Sequence, residues 1–237
     1  SQGIYPNYSN LDAYKMAACS IDTAIRNLIV TGCNLSNIAL LDNFCWCSPE
    51  EPEKIYQLKE ALKACYDLST KFCTPFISGK DSMYNDFNGY DKKNRKIKIS
   101  ISPTLLISSI GIIKDYDDLL SIVPRAFGDL IFIIGKTGSE MSGSEFEKVF
   151  GYENRSIPQV DKDIAKRNYK NFIKANKKKL INSAISIGIG GVAVSLAKMS
   201  IASQMGLKVN LSNIQKTNTN IKNFHILFSE SQSRIIT

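Results

Sequence analysis

The sequence predicts an α/β (α+β) protein built from two domains. Its 237 residues exceed one minimal domain, and a hydrophobic content of 43% is sufficient for a sizeable core. Short apolar runs that end in polar residues alternate with a segment of helical periodicity, at residues 38–41, 52–72 and 76–77. This order of strand, helix and strand is typical of α/β proteins, in which ligands bind at the strand ends.

A first helix is predicted over residues 11–31. Apolar and small side chains recur there at helical spacing, with one side formed by Met16, Ser20, Ala24 and Leu28. Asp12 is a suitable N-cap, and Gly32 is a natural C-terminal stop. The small residues at 17–20 indicate that this helix packs closely against a neighbouring element.

Two apolar strands are predicted to carry polar residues at one edge of a sheet. The strand at residues 38–41 runs into Asp42, and the strand at residues 76–77 is predicted to enter a turn at Gly79. The turn presents Lys80, Asp81 and Ser82. Glycine lets a phosphate approach the backbone, lysine supplies a positive charge, and aspartate is a ligand for Mg²⁺. Alone, this motif is weak evidence, because polar turns more often have no function.

The domain boundary is predicted after the next strand. Residues 85–98 are a polar surface excursion, residues 105–113 are a strand, and an acidic segment follows. We therefore assign residues 1–115 to an amino-terminal domain and residues 116–237 to a carboxy-terminal domain.

The second domain is predicted to contain both helices and strands. The predicted strands are residues 128–135, 209–211 and 224–228. The predicted helices are a short one that follows a Gly/Ser loop at residues 138–145, a basic one at 162–176, and one at 192–203. The chain ends directly after a strand and a polar motif, which indicates an incomplete domain.

Composition excludes several classes of protein. No apolar run approaches the roughly 20 residues of a transmembrane helix, and no charged and apolar segments form a signal peptide. We expect a cytoplasmic protein without membrane contacts. The six cysteines form no Cys-x-x-Cys pair, so free thiols are expected and not a zinc site. His225, the only histidine, lies in an apolar run and is expected to be a packed structural residue.

The formal charge of +8 raises the question of nucleic-acid binding. The lysines concentrate at residues 92–98 and 162–179, and neither block has interleaved aromatic residues. A solvated basic surface is therefore the simpler interpretation, and nucleic acid is not expected as a partner.

Several motifs in a fixed order give the sequence a family resemblance. They lie at residues 11–17, 41–46, 78–82, 103–104, 143–146, 190–193 and 229–234. Together they resemble phosphoribosylformylglycinamidine synthase, the synthetase of the fourth step of purine biosynthesis, within the aminoimidazole ribonucleotide synthetase-like superfamily. The resemblance implies an amino-terminal domain followed by an incomplete carboxy-terminal domain, which together form the second half of a pseudo-symmetric synthetase.

The resemblance also implies an activity and partners. Members convert formylglycinamide ribonucleotide to formylglycinamidine ribonucleotide with ATP, Mg²⁺ and glutamine-derived ammonia. The expected partners are a first synthetase half and a glutaminase domain or subunit, with a small-molecule substrate. The catalytic histidine of the family lies outside this chain, so we expect no catalytic residue here and no turnover by this chain alone.

Four positions match family residues that contact ligands. Asp42 and Gly79 match residues that contact ATP. Ser82 and Lys15 match residues that contact the ribonucleotide substrate, although Ala13 stands where the family usually has proline.

A metal contact is implied for Asn27. Lys80 stands where short-form members of the family have a metal-binding asparagine, which leaves Asp81 as the nearest carboxylate that could face a cation. The sequence also departs from the family beside Asn27. Thr23 stands one helical turn before Asn27, where a glutamate is expected. Ser186 and Ile189 replace acidic residues that would hold Mg²⁺ beside a nucleotide. The alternative hypothesis is therefore a degenerate scaffold half without nucleotide turnover of its own.

Glu230 and Gln232, in the last motif, remain open between two interpretations. They form either a satisfied polar cluster at a strand end or part of a ligand site.

Overall fold

A four-stranded sheet with a helix across one face organises the first half of the chain. The computed structural model describes residues 1–152 and 155–237. The first-half strands are β1 (Gln2–Ile4), β2 (Ile38–Cys45), β3 (Phe76–Ser82), β4 (Asp86–Tyr90), β5 (Lys96–Ser100) and β6 (Thr104–Gly111). Helix α1 (Ala13–Val30) packs on β1 and β6, and α2 (Pro52–Phe72) packs on α1.

Helix α1 forms as the sequence predicts. The side chain of Asp12 accepts a hydrogen bond of 2.9 Å from the backbone N–H of Lys15, and Gly32 adopts a left-handed φ of +105° beyond the last turn. The predicted close packing is also confirmed, because a Cβ at Gly3 would lie 2.0 Å from the carbonyl oxygen of Ser20. Strand β1 therefore lies directly against the helix backbone.

The predicted turn at Gly79 is wrong. The four-stranded sheet has the order β1-β6-β2-β3, and β3 continues through the motif to Ser82. Strand β2 extends to Cys45, beyond its apolar run, and offers a parallel partner to every residue from Ser78 onward. Ladder hydrogen bonds with β2 therefore keep this polar segment extended at the edge of the sheet.

Strands of this sheet carry apolar side chains that are exposed to solvent. Ile77 on β3 is 62% exposed and Ile110 on β6 is 57% exposed. The predicted surface excursion at residues 85–98 is the antiparallel hairpin of β4 and β5, which pairs Phe87 with Ile99. Both of those side chains are also exposed.

The second half contains shorter elements. Its helices are α3 (Glu145–Phe150), α4 (Lys162–Lys177), α5 (Gly191–Ser203) and α6 (Asn223–Phe228). Strands β7 (Ile133–Ile134), β8 (Ile185–Ser186) and β9 (Ile235–Ile236) form a sheet of order β7-β9-β8. The three predicted helices are present at α3, α4 and α5.

The strands predicted in this half are mostly wrong. Only Ile133–Ile134 of the first forms a strand, residues 224–228 lie in α6, and Leu211–Asn213 is a 3₁₀ turn. A short apolar run has the same pattern in a buried strand and in one turn of a helix, so periodicity does not separate the two. At α6, the ring Nδ1 of His225 accepts a hydrogen bond of 3.2 Å from the backbone N–H of Lys222, which caps the helix.

One hydrophobic core runs across the predicted boundary at residue 115. Tyr169 and Phe172 of α4 lie in the same buried cluster as Met16 and Ile25 of α1. This shared core does not define a boundary, so the division into residues 1–115 and 116–237 stays a prediction. Among the described residues, no helix is long and apolar enough to cross a membrane.

A buried carboxylate joins the two halves. Asp22 on α1 forms an ion pair with Arg26, and both side chains are fully buried. Asp22 also accepts hydrogen bonds of 3.0 Å from the backbone N–H and the hydroxyl of Ser233, and another from Tyr169. Burial, followed by the charge of Asp22, raises the pKa of the Tyr169 hydroxyl well above its ordinary value. Tyr169 therefore stays a neutral donor.

Replacement of Asp22 by alanine is expected to lower the free energy of unfolding by ~3–5 kcal/mol, because Arg26 would remain buried without its counter-charge. Urea denaturation followed by circular dichroism measures the change. The matched control is Asp163→Ala, which removes an exposed carboxylate paired with Lys71 and should change stability little. Equal losses in the two variants would contradict a special role for the buried pair.

Candidate functional site

Two of the predicted ligand residues, Asp42 and Gly79, lie side by side on neighbouring strands. Their Cα atoms are direct partners in the parallel ladder of β2 and β3. A Cβ added at Gly79 would lie 1.8 Å from Oδ1 of Asp42, so any other residue would displace the carboxylate. Glycine is thus required at this position by the side chain of its neighbour.

A second carboxylate lies beside this pair. Asp81 pairs with Phe44 in the same register, which places Asp81 and Asp42 on one face of neighbouring strands. Burial, and next the charge of Asp81, raises the pKa of Asp42 above its ordinary value. Two carboxylates that repel each other are a favourable place for a divalent cation.

The pair of Asp42 and Asp81 fits the requirements of Mg²⁺. The described residues contain no group of three or more His, Cys, Asp and Glu side chains that could form a complete metal cage. Mg²⁺ is commonly held by only one or two carboxylates, with water and substrate phosphates as the other ligands. Asp42 and Asp81 could contribute that number of protein ligands.

The remaining predicted contacts are spread over the fold. Ser82 follows Asp81 on β3, faces the other side of the sheet, and donates a hydrogen bond of 3.1 Å to Asn85. Lys15 lies in the first turn of α1, with its ammonium 3.5 Å from the carboxylate of Asp12. Asn27 lies twelve residues further along the helix, about 18 Å from Lys15 at 1.5 Å per residue. One small ligand therefore does not contact both helix residues.

The surroundings of Asn27 do not fit a metal ion. Its side-chain oxygen accepts a hydrogen bond from the hydroxyl of Ser186, and its amide donates to the carbonyl of Gln2 over 3.3 Å. The hydroxyl of Thr23 contacts the guanidinium of Arg26 at 3.1 Å, and the neighbouring carboxylate of Asp22 is already ion-paired with that guanidinium. With no carboxylate at Thr23, Ser186 or Ile189, we derive no metal chemistry here.

Glu230 has a role that its sequence position leaves open. It is buried, and its carboxylate accepts a hydrogen bond of 2.6 Å from the hydroxyl of Tyr8. It also accepts from the backbone N–H groups of Gly190 and Glu145, at 3.0 and 3.2 Å. The pKa of Glu230 is raised above its ordinary value, because the effect of burial exceeds the opposing effect of these hydrogen bonds. The carboxylate connects the amino-terminal segment to the starts of α3 and α5. This arrangement favours the satisfied-cluster interpretation, although Glu230 lies on a loop and not at a strand end.

Gln232 and His225 are also internally bonded. The amide oxygen of Gln232 accepts hydrogen bonds from Thr23 at 3.1 Å and Arg26 at 3.2 Å. His225 is buried against Phe224, and burial lowers the pKa of its imidazole. The prediction of a packed structural histidine is confirmed. The six cysteines are free thiols, of which only Cys73 is exposed.

Comparison with known families identifies the fold. Residues 127–237 match the family described as AIR synthase related protein, C-terminal domain. The whole chain superposes on the structure titled "T. maritima PurL complexed with FGAR" with a TM-score of 0.74 at 18% identity, covering 36% of that chain. The chain therefore has the AIR synthase-like fold, and its residues 127–237 match the carboxy-terminal domain of that superfamily. The family resemblance and the fold class predicted from sequence are thereby confirmed.

Curated members of this superfamily are similar over nearly the full chain. Phosphoribosylformylglycinamidine synthase subunit PurL of Methanocaldococcus jannaschii is 33% identical over 97% of this chain and 30% of its own length. The subunit of the same name from Thermococcus sibiricus is 30% identical over 98% of this chain and 31% of its own length. E. coli HypE, a hydrogenase maturation protein, shares the AIR synthase-like fold with a TM-score of 0.68 at 10% identity. The chain thus spans less than a third of the length of these PurL relatives.

Replacement of Asp81 by asparagine is expected to lower the pKa of Asp42, because a negative charge that opposes ionisation is removed. Carbon-detected NMR titration of the aspartate carboxyls measures this shift. In the control Asp117→Asn, which removes an exposed carboxylate from the acidic segment after β6, Asp42 should titrate as in the wild type. A rise in the pKa of Asp42 in the Asp81 variant would contradict the proposed repulsion.

Restoration of two carboxylates at the Asn27 site should create a metal site that the natural sequence lacks. The double variant Thr23→Glu/Ser186→Asp is expected to gain Mg²⁺-dependent stability, about 2.7 kcal/mol when Mg²⁺ is at 100 times its dissociation constant. Thermal unfolding with Mg²⁺ and with EDTA measures the gain, and Thr23→Gln/Ser186→Asn is the uncharged control. A Mg²⁺-dependent shift of the wild type that Asn27→Ala abolishes would contradict the assignment.

Proposed function

We propose that this chain is the second synthetase half of a phosphoribosylformylglycinamidine synthase. The enzyme would convert formylglycinamide ribonucleotide to formylglycinamidine ribonucleotide with ATP and glutamine-derived ammonia in purine biosynthesis. The observation that carries the proposal is the approach of Gly79 to the carboxylate of Asp42, at the position where the family resemblance implies ATP contacts. The similarity to PurL subunits, and to solved structures of PurL complexed with FGAR and with ATP, supports it.

In this proposal, each residue at the edge of the sheet has a physical task. Gly79 has no side chain, which leaves room for the carboxylate of Asp42 beside its backbone. Asp42 and Asp81 would hold Mg²⁺, which supplies neutralisation of phosphate charge when it is bound. Ser82 and Lys15 are proposed to contact the ribonucleotide substrate. Positioning and charge neutralisation are the main protein contributions to phosphate-activating reactions of this kind.

The exposed apolar side chains of the four-stranded sheet are evidence for a partner domain that covers them. The exposed apolar side chains of Ile77 and Ile110 lie on a surface that a complete enzyme would be expected to cover. We propose that the first synthetase half covers it, because the PurL relatives are more than three times as long as the part that this chain matches. A glutaminase domain or subunit would supply ammonia. A cytoplasmic location and the lack of nucleic-acid partners also stay predictions.

The second candidate function is a scaffold half without its own nucleotide turnover. The observation that favours it is the internally bonded site around Asn27, where Thr23 and Ser186 are neutral and the charges of Arg26 and Asp22 are paired with each other. A scaffold half would complete the fold and the interface of the assembly. The two candidates differ in whether the edge at Asp42 binds nucleotide.

Mg-ATP is expected to stabilise the 237-residue chain if the Asp42 edge binds nucleotide, by about 2.7 kcal/mol at 100 times the dissociation constant. Asp42→Asn should abolish this gain, because it removes the charge that faces the cation. Thermal-shift titration measures both, and Asp117→Asn is the control for loss of an exposed carboxylate. No shift of a folded wild-type sample would support the scaffold function. A shift that survives Asp42→Asn would place nucleotide binding elsewhere.

A further inference from the structure

One row of side chains crosses three strands at the end of the four-stranded sheet. Cys45 ends β2, Ser82 ends β3 and Thr104 begins β6, and the Cα atom of Cys45 is the direct partner of the other two. Direct partners in a ladder share one face of the sheet, so the three half-buried side chains lie side by side. These residues form the strand-end row, which lies at the carboxyl ends of β2 and β3, where α/β proteins bind ligands.

The hydroxyl hydrogen of Ser82 is already used within the protein. The amide nitrogen of Asn85 donates to the backbone carbonyls of Ser82 and Trp46, at 2.8 and 3.0 Å. These two acceptors fix the orientation of the amide, so its oxygen faces the hydroxyl of Ser82 at 3.1 Å. Because an amide oxygen only accepts, Ser82 donates its single hydrogen there. Only the lone pairs of Ser82 remain for a ligand.

The hydrogens of the other two members of the row are engaged as well. The hydroxyl of Thr104 donates to the carbonyl of Ser102 over 2.9 Å, and the thiol of Cys45 donates to the side-chain oxygen of Asn43 over 3.6 Å. The strand-end row therefore presents two hydroxyl oxygens and a sulfur atom that accept hydrogen bonds but do not donate them. A fully ionised phosphate or a carboxylate has no hydrogen to offer such a row.

A metal cation is also disfavoured at the strand-end row. The row holds no carboxylate, which Mg²⁺ prefers as a protein ligand, and Asp81 faces the opposite side of the sheet from Ser82. Lys80 shares the face of Ser82, is exposed, and adds a positive charge. The groups that fit the row are therefore neutral donors, namely sugar hydroxyls and amide N–H groups.

We propose that the strand-end row is a subsite for the hydroxyl or amide N–H groups of a small polar ligand that lies over Cys45. The two hydroxyls of the row belong to strands that are two spacings apart, about 9.6 Å between backbones, which suits a ligand of the size of a sugar ring. The subsite rests on the function proposed above, in which the substrate is formylglycinamide ribonucleotide and carries both kinds of donor. Ser82 then contacts these donors and not the phosphate, and Thr104 and Cys45 become further substrate contacts.

Alkylation of the wild-type chain by iodoacetamide tests whether a ligand covers Cys45. Peptide mass spectrometry gives the rate at each cysteine, at constant ionic strength. Formylglycinamide ribonucleotide at ten times its dissociation constant is expected to slow modification of Cys45 about tenfold, because only the free protein reacts. The exposed thiol of Cys73, at the end of α2, is the internal control and should react at an unchanged rate.

Three smaller probes identify the donor groups in the same assay. Protection of Cys45 by ribose 5-phosphate would assign the subsite to ribose hydroxyls, and protection by N-formylglycinamide would assign it to amide N–H groups. Inorganic phosphate, which lacks both, should not protect. Equal protection by inorganic phosphate and by the complete ribonucleotide would overturn the proposal.

Replacement of Thr104 by valine removes one acceptor and keeps the shape of the side chain. Isothermal titration calorimetry should show at least about fivefold weaker binding of formylglycinamide ribonucleotide, because a donor of the ligand loses its partner. Thr104→Ser, which keeps the hydroxyl, should bind within about twofold of the wild type. The matched control is Thr31→Val, which removes an exposed hydroxyl that also donates to a backbone carbonyl, at the end of α1. It should leave the affinity unchanged, and circular dichroism checks the fold of each variant.

The subsite and the proposed function fail in different ways. If formylglycinamide ribonucleotide binds, an unchanged alkylation rate of Cys45 or an unchanged affinity of Thr104→Val would overturn the subsite and leave the proposed function standing. If it does not bind to the folded wild type, the subsite is overturned as well. The Mg-ATP titration then decides separately whether the edge at Asp42 binds nucleotide.

Discussion

The buried carboxylate of Asp22 is the constraint on which much of this structure depends. It compensates Arg26, accepts from Tyr169 of α4, and fixes Ser233 in a left-handed conformation with a φ of +60°. Burial of a charge is costly unless it is fully paired, so these partners hold one another in place. Because they come from α1, α4 and the loop before β9, the same contact that stabilises the fold also positions the carboxy-terminal motif.

The sequence predicted the elements whose signals are local. The cap at Asp12, the stop at Gly32 and the small residues of α1 each act within one or two turns, and all three appear as expected. The predictions of a turn at Gly79 and of a strand at residues 224–228 were wrong, because the conformations of β3 and α6 depend on distant partners. The extended form of residues 78–82 requires the ladder with β2. The helix at residues 224–228 packs on α5, and its Phe224 and Phe228 stack on Phe146 of α3, contacts that no short window contains.

In the candidate site, too, some features could be predicted from the sequence and others depend on contacts in three dimensions. The sequence predicts that Asp42 and Gly79 lie at one edge of a sheet, but their pairing within the ladder and the reason for the glycine, a carboxylate in the space of its Cβ, are visible only in three dimensions. Thr23, Ser186 and Ile189 were recognised in the sequence as departures from the family. Their consequence, an internally bonded site beside the ion pair of Arg26 and Asp22, required the hydrogen-bond partners of Asn27. The network around Asp22 had no sequence signal beyond an acidic residue on an apolar helix.

The position of β3 at the edge of its sheet has a consequence for solubility. A parallel edge strand beside an apolar face could recruit a strand from another molecule and so begin aggregation. The charged side chains of Lys80 and Asp81 lie on this edge and are exposed. Charges on an edge strand disfavour pairing with a second copy. The residues proposed to serve a ligand would therefore also protect the chain from self-association whenever its partner is absent.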